Sequence, residues 1–236
     1  MALSPHEADR IAAAGMPVLC IDTCSLLDII RDPNRETALP HNAVAAMALV
    51  QMMESGTSVT CLLADQVRKE LTAHQQVVTD EAARGMDKLR ENIERVDGLV
   101  SAFSPPVRTD IRHWRNHVAN ASALLQRWIG SCVSAPQSPD VPMRAYNRAL
   151  QARAPARKGK ESLADCVVLE TYLEAATELR QRGMKTPIVF LSSNVQDYAS
   201  PPSRSVLFPD LKSEFDSIGM AYATGHGMAM SLLGLS

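Results

Sequence analysis

Four short apolar segments of this chain each end in a polar or acidic cluster, and that recurrence limits the folds open to it. VLCID closes at Asp22, TCLLADQVRKE reaches Glu70, ESLAD reaches Asp165, and IVFLSSNVQD reaches Asn194 and Asp197. In an open α/β sheet, ligands bind beyond the carboxyl ends of the strands, so acids placed just after several strands can converge on one pocket. Converging carboxylates repel one another unless a cation sits among them.

The segments between these clusters have the composition of helices. MPVLCI (16–21) is a short apolar run of the kind found in a strand buried on both faces. SLLDIIR (25–31) then predicts a short helix capped by Ser25 and stopped by Asp32 and Pro33, and a helix from His41 to Glu54 ends at Ser55 and Gly56. SVTCLLA (58–64) is the second strand, with Asp65 placed to cap a helix that carries Glu70 in its second turn.

Helical composition continues to the break at Ser104, Pro105 and Pro106. A second helical stretch follows from Thr109 to Ile129, with an apolar face of Ile111, Trp114, Val118, Ala121, Leu125 and Ile129. After a proline-marked loop, MRAYNRALQARAPARKGK forms a basic helix and basic loop with no acid. Ser162 caps a further helix ending at Gly183, TPIVFLSS is the third strand, and IGMAYATG (218–225) is the fourth.

Strands separated by helices imply an α/β fold with a parallel central sheet of four or five strands flanked by helices. Residues 72–154 hold no convincing strand, which predicts a helical elaboration inside a single domain spanning 1–236. Aromatics make up only 4% of the chain, so aliphatic residues and Met must fill the core.

A formal net charge of -2 excludes a chain that coats nucleic acid over its whole surface, while leaving room for a local basic patch. The odd number of cysteines, 5, with no C-x-x-C pair, reads as reduced, buried thiols. The N-terminal stretch lacks the apolar core of a secretory signal, and no apolar run approaches the ~18 residues of a membrane span. A cytoplasmic protein with no membrane partner is expected.

Taken together, a strand followed by Asp22-Thr23, a helix-borne Glu70-Leu71 after the second strand, Asp165 at a helix start, and a strand followed by Ser-Ser-Asn-x-x-Asp-Tyr resemble the PIN-domain nucleases. The resemblance covers about residues 16–71 and 158–224 and leaves the middle helical region unmatched. It implies a PIN-like fold and a divalent-metal-dependent endoribonuclease that uses Mg²⁺ or Mn²⁺, leaving a 5′-phosphate and a 3′-hydroxyl. Both ions take hard oxygen ligands from carboxylates and substrate phosphate.

Carried onto this chain, the resemblance makes Asp22, Glu70, Asp165 and Asp197 the catalytic acids. Asp22, Glu70 and Asp165 are the leading metal ligands, and Asn194 and Asp197 are candidates for the fourth position. Thr23, Ser193 and Glu161 would orient them from behind. Asn194 stands where the family often has an acid, which opens the choice between one metal and two.

Arg144, Arg148, Arg153, Arg157, Lys158 and Lys160 lead into the helix that bears Asp165 and form an expected RNA path. Many small members of the family are toxins silenced by a protein partner. The extra helices here could serve such an inhibitor, a homo-oligomer interface or a substrate clamp.

Other readings compete for the same residues. Ser162 and Asp165 form an S-x-x-D capping box, and Asp22 and Asp65 could simply cap helices. A catalytically impaired PIN-like module that binds RNA or protein would also use this scaffold. A dehalogenase-type phosphatase is disfavoured because D-T-C-S lacks the second Asp of D-x-D-x-T, and a receiver domain because no paired acids precede the first strand's Asp. His113 and His117 share helical spacing without the further ligands zinc requires.

Overall fold

The first strand, β1 (Val18–Ile21), lies at the centre of the sheet, and its four residues are all buried. In a computed structural model that describes residues 3–105, 108–156 and 162–235, the sheet order is β3-β2-β1-β4-β5 and every pairing is parallel. The chain enters through α1 (Pro5–Ala14), passes β1, and turns at once into α2 (Thr23–Leu27). It continues through α3 (Pro40–Ser55) and β2 (Thr60–Ala64) to the long α4 (Asp65–Ser101).

A 3-10 turn at Arg112–Trp114 precedes α5 (His117–Ser131), β3 (Val133–Ala135) and α6 (Val141–Leu150). The last part comprises α7 (Leu163–Gln181), β4 (Ile188–Leu191), α8 (Val195–Tyr198), α9 (Pro209–Ile218), β5 (Met220–Ala223) and α10 (His226–Leu232).

Consecutive buried residues along β1, β2 and β4 mark strands covered on both faces. Helices α3, α5 and α10 pack on one another, while α7 packs on α1, α4, α6 and α9. Among the described residues no helix is long and apolar enough to cross a membrane.

Two polar side chains tie this framework together. The Tyr172 hydroxyl donates to the Ile21 carbonyl at 2.7 Å and accepts from the Ala64 N–H at 3.1 Å, so α7 grips the ends of β1 and β2. At the C-terminal end of α7, Arg180 donates to the carbonyls of Met184, Thr186, Ile218 and Gly219, satisfying the loops that lead into β4 and β5.

Several expectations need correction. Residues 72–154 do contain a strand: β3 pairs with β2 as a sheet edge, a three-residue element too short for its alternation to register in the sequence. The first short helix begins at Thr23 rather than Ser25, because the Asp22 carboxylate accepts from the Thr23 N–H and takes the cap. The following long helix starts at Asp65 itself, with Ala64 as its cap. Ser162 occupies the cap position of α7 but makes no side-chain capping bond, and its hydroxyl is buried without a hydrogen-bond partner among the described residues.

The buried stripe of α5 is Ala121, Leu125 and Trp128, not the predicted line running back to Ile111. A 3-10 turn and a break before His117 shift the phase, and the Trp128 indole donates to the Ala46 carbonyl at 3.1 Å. All five cysteines are free, and Cys20, Cys61 and Cys166 are buried.

Candidate active site

The strand order reverses direction between β1 and β4, and Asp22 and Ser192 are the residues that follow those two strands. Such a switch point leaves a crevice at the carboxyl edge of a parallel sheet. Asp22 is 3% exposed, and three groups hold its carboxylate. The Thr23 N–H donates to Oδ1 at 2.7 Å; the Ser192 hydroxyl and the Cys24 thiol donate to Oδ2 at 2.7 and 3.1 Å.

Burial pushes the Asp22 pKa up, hydrogen bonds from Ser192, Cys24 and Thr23 pull it down, and the negative charge of Glu70 adds to the upward push. The site therefore holds a desolvated carboxylate facing a second one. Glu70 reaches this position from the second turn of α4: the Thr23 hydroxyl donates to its Oε2 at 2.5 Å and the Gln66 amide to its Oε1 at 2.9 Å. Thr23 thus touches both acids, through its backbone to Asp22 and its side chain to Glu70.

Asp165 lies in the first turn of α7 and is half-buried. It stands at a helix start as expected and follows no strand, so three of the four clusters close strands. Its tie to the site runs through Tyr198. Burial, then the charges of Asp22 and Asp165, push that phenol well above its ordinary value. The Tyr198 hydroxyl is buried and has no hydrogen-bond partner among the described residues.

Asp197 is 2% exposed, and the Asn194 amide donates to its Oδ2 at 2.5 Å. Asn194 thus acts here as a donor that orients Asp197. The charge of Asp197 contributes, after burial and the charges of Cys24 and Asp22, to raising the Tyr222 phenol, whose hydroxyl donates to the Ser192 carbonyl at 3.1 Å.

Among the described residues no three His, Cys, Asp or Glu side chains are grouped closely enough to hold a metal ion by themselves. The donor chemistry nevertheless suits a hard divalent cation. Asp22 and Glu70 offer carboxylate oxygens, and ions such as Mg²⁺ keep several waters and need only one or two protein carboxylates beside a substrate phosphate.

Sequence reasoning named Ser193, but Ser192 is the serine whose hydroxyl binds Asp22; Ser193 instead donates its N–H to the Ser25 hydroxyl at 2.9 Å. Gln66, Tyr198 and Tyr222 were not anticipated as neighbours of the acids. Gln66 alone carried a signal, standing four residues before Glu70 on one helix face.

The basic helix also differs from expectation. Arg148 is 3% exposed, donating to Glu170 at 2.6 Å, to Glu214 at 2.7 Å and to the Ala154 carbonyl at 2.7 Å. Its expected place on an RNA path is corrected: this guanidinium is sealed in a core network. Arg144 pairs with Glu170 and Glu174, and Arg153 pairs with Glu214. Arg157, Lys158, Lys160 and Glu161 lie outside the described residues.

A family model described as a PIN domain matches residues 19–198 of this chain. No curated protein and no solved structure matches it.

Proposed function

This chain belongs to the PIN-domain family, and from that premise we propose that it is a divalent-metal-dependent endoribonuclease. The observation that carries the proposal is the pair of carboxylates, Asp22 and Glu70, held by one residue, Thr23, at the sheet's switch point. A cation held by Asp22 and Glu70, with Asp165 as a further candidate ligand, would supply an activated water and charge stabilisation for an in-line phosphodiester cleavage.

The protein's own groups supply orientation. Ser192, Cys24 and the Thr23 N–H fix Asp22, while the Thr23 hydroxyl and Gln66 fix Glu70, so neither acid must reorganise when a phosphate arrives. With Asp22 buried and Glu70 half-buried, restricted solvent access makes each electrostatic contact stronger than it would be in water.

The test is cleavage of single-stranded and structured RNA with Mg²⁺ or Mn²⁺, comparing the parent with Asp22→Asn and Glu70→Gln. Metal-dependent cleavage abolished by both substitutions supports the proposal. No cleavage by the parent, or full activity in Asp22→Asn, overturns it.

One observation favours a second reading, an RNA-binding module without turnover: Asp197 is buried under the Asn194 amide rather than grouped with the other acids. Manganese-independent RNA binding with no cleavage by any preparation would select it.

A further inference from the structure

A cavity of about 660 Å³ lies beside the candidate active site, between the loop after α2 and helices α3, α5 and α10. That volume falls within the range of pockets that enclose small organic ligands. Ser25 and Ser193, joined by their hydrogen bond, form the wall shared with the Asp22 neighbourhood, and Thr224 lines it at the carboxyl end of β5. The cavity therefore opens along the same sheet edge as the acids.

Its walls divide by chemistry. Ile29, Leu39, Ala46, Met47 and Leu124 supply apolar surface. Against these stand Arg31, Arg35 and Arg127, the last paired with Glu54, with Asp28 as the one acid among the described lining residues. Arg31 and Arg35 converge on a single oxygen of that acid, Asp28 Oδ1, at 3.0 and 3.1 Å, so one negative charge serves two cations.

Two polar atoms of the lining are left over. Arg35 Nη1 and His226 Nε2 are buried with no hydrogen-bond partner among the described residues, and His226 is itself only 4% exposed. An occupant with an anionic group and a flat apolar body answers the cations and the apolar wall together.

We propose that this cavity binds the nucleotide of an RNA strand adjacent to the phosphate at the Asp22 site, its phosphate beside Arg31 and Arg35 and its base against the apolar wall near His226. The assignment rests on the ribonuclease reading for the identity of the strand. A base can lie against the apolar wall, and a guanidinium is suited to phosphate oxygens.

The test is equilibrium binding of a fluorescein-labelled single-stranded hexaribonucleotide to the full chain in EDTA, over a range of salt. Arg35→Gln and Arg31→Gln remove the cations. Ala43→Trp, on the exposed cavity side of α3, fills the space without breaking an ion pair. Each substitution is expected to weaken binding at least tenfold, and each arginine change to reduce the salt slope by about 0.7 per lost phosphate contact.

Ala43→Trp keeps the assignment testable should an arginine variant fold poorly. Parent-like affinity in a folded Ala43→Trp, in a preparation whose parent cleaves RNA, overturns the cavity assignment and leaves the ribonuclease reading standing. Loss of affinity in the variants of a chain that cleaves nothing upholds the cavity as an RNA site and overturns the ribonuclease reading. Competition by adenosine 5′-monophosphate without loss of RNA affinity in the variants assigns the cavity to a free nucleotide and overturns the strand assignment.

Discussion

The Thr23 hydroxyl donates to Glu70 Oε2 at 2.5 Å, so a side chain at the end of β1 holds an acid delivered by the helix after β2. These residues are 47 positions apart in sequence, and the bond is the shortest path by which the two elements set the spacing of Asp22 and Glu70. Thr23→Val keeps the shape and removes the donor. It is expected to lower kcat for RNA cleavage by roughly 10–100-fold, the usual cost of losing an orienting partner of a metal-site acid. Thr23→Ser should restore most of the activity, and parent-level kcat in Thr23→Val would refute the orienting role.

Cys24 touches Asp22, yet its thiol is pushed far above the ordinary range, first by burial and then by the Asp22 charge. It should be protonated and unreactive at pH 8. Iodoacetamide labelling followed by peptide mass spectrometry should leave Cys24 unmodified in the native protein and modify it in urea. Rapid native alkylation of Cys24 would contradict this environment.

Arg148 is a structural cation whose removal strands the Glu170 carboxylate in a buried position. Arg148→Ala should destabilise the fold by about 3–5 kcal/mol, since breaking a buried pair leaves an uncompensated charge. Chemical denaturation with matched slopes would measure it. A loss under about 1 kcal/mol would show that Glu170 finds another partner, Arg144 being the nearest candidate.

His226 packs edge-on against Trp128, and burial pulls its pKa down to about 4, with the charge of Asp28 opposing that shift. The unfolded chain protonates this imidazole near its ordinary value of about 6.5, whereas the folded chain resists until about pH 4. The unfolded state thus binds more protons between those limits, and stability falls as pH drops through that window. The contribution reaches about 3 kcal/mol at full separation of the two values. Thermal midpoints from pH 4 to 7 should show a steeper acid loss in the parent than in His226→Gln; superimposable profiles would show that other groups set the acid limit.

The parallel sheet was legible because VLCI, TCLLA and IVFL are dense apolar runs separated by helical stretches, a pattern that only a doubly covered sheet accommodates. Asp22 and Glu70 were legible as candidates for the same reason: each follows a recognisable strand. Ser192 was not separable from Ser193 in sequence, because both follow β4 and only the direction of the chain at the strand end decides which hydroxyl meets Asp22. Asp197 likewise looked equivalent to Asn194 until α8 placed the carboxylate inside and the amide over it.

Local composition, then, determined the elements of this protein: apolar runs must be buried, proline breaks helices, and acids beyond strand ends mark the functional edge. What the tertiary structure alone decided was which polar groups meet. Arg148 looked like part of a solvated basic helix until Glu170 on α7 and Glu214 on α9 closed around it. The cavity beside Arg35 and His226 is built from segments as far apart in the chain as Ser25 and His226. Burial and charge pairing depend on distances between elements, and no local pattern of residue types encodes those distances.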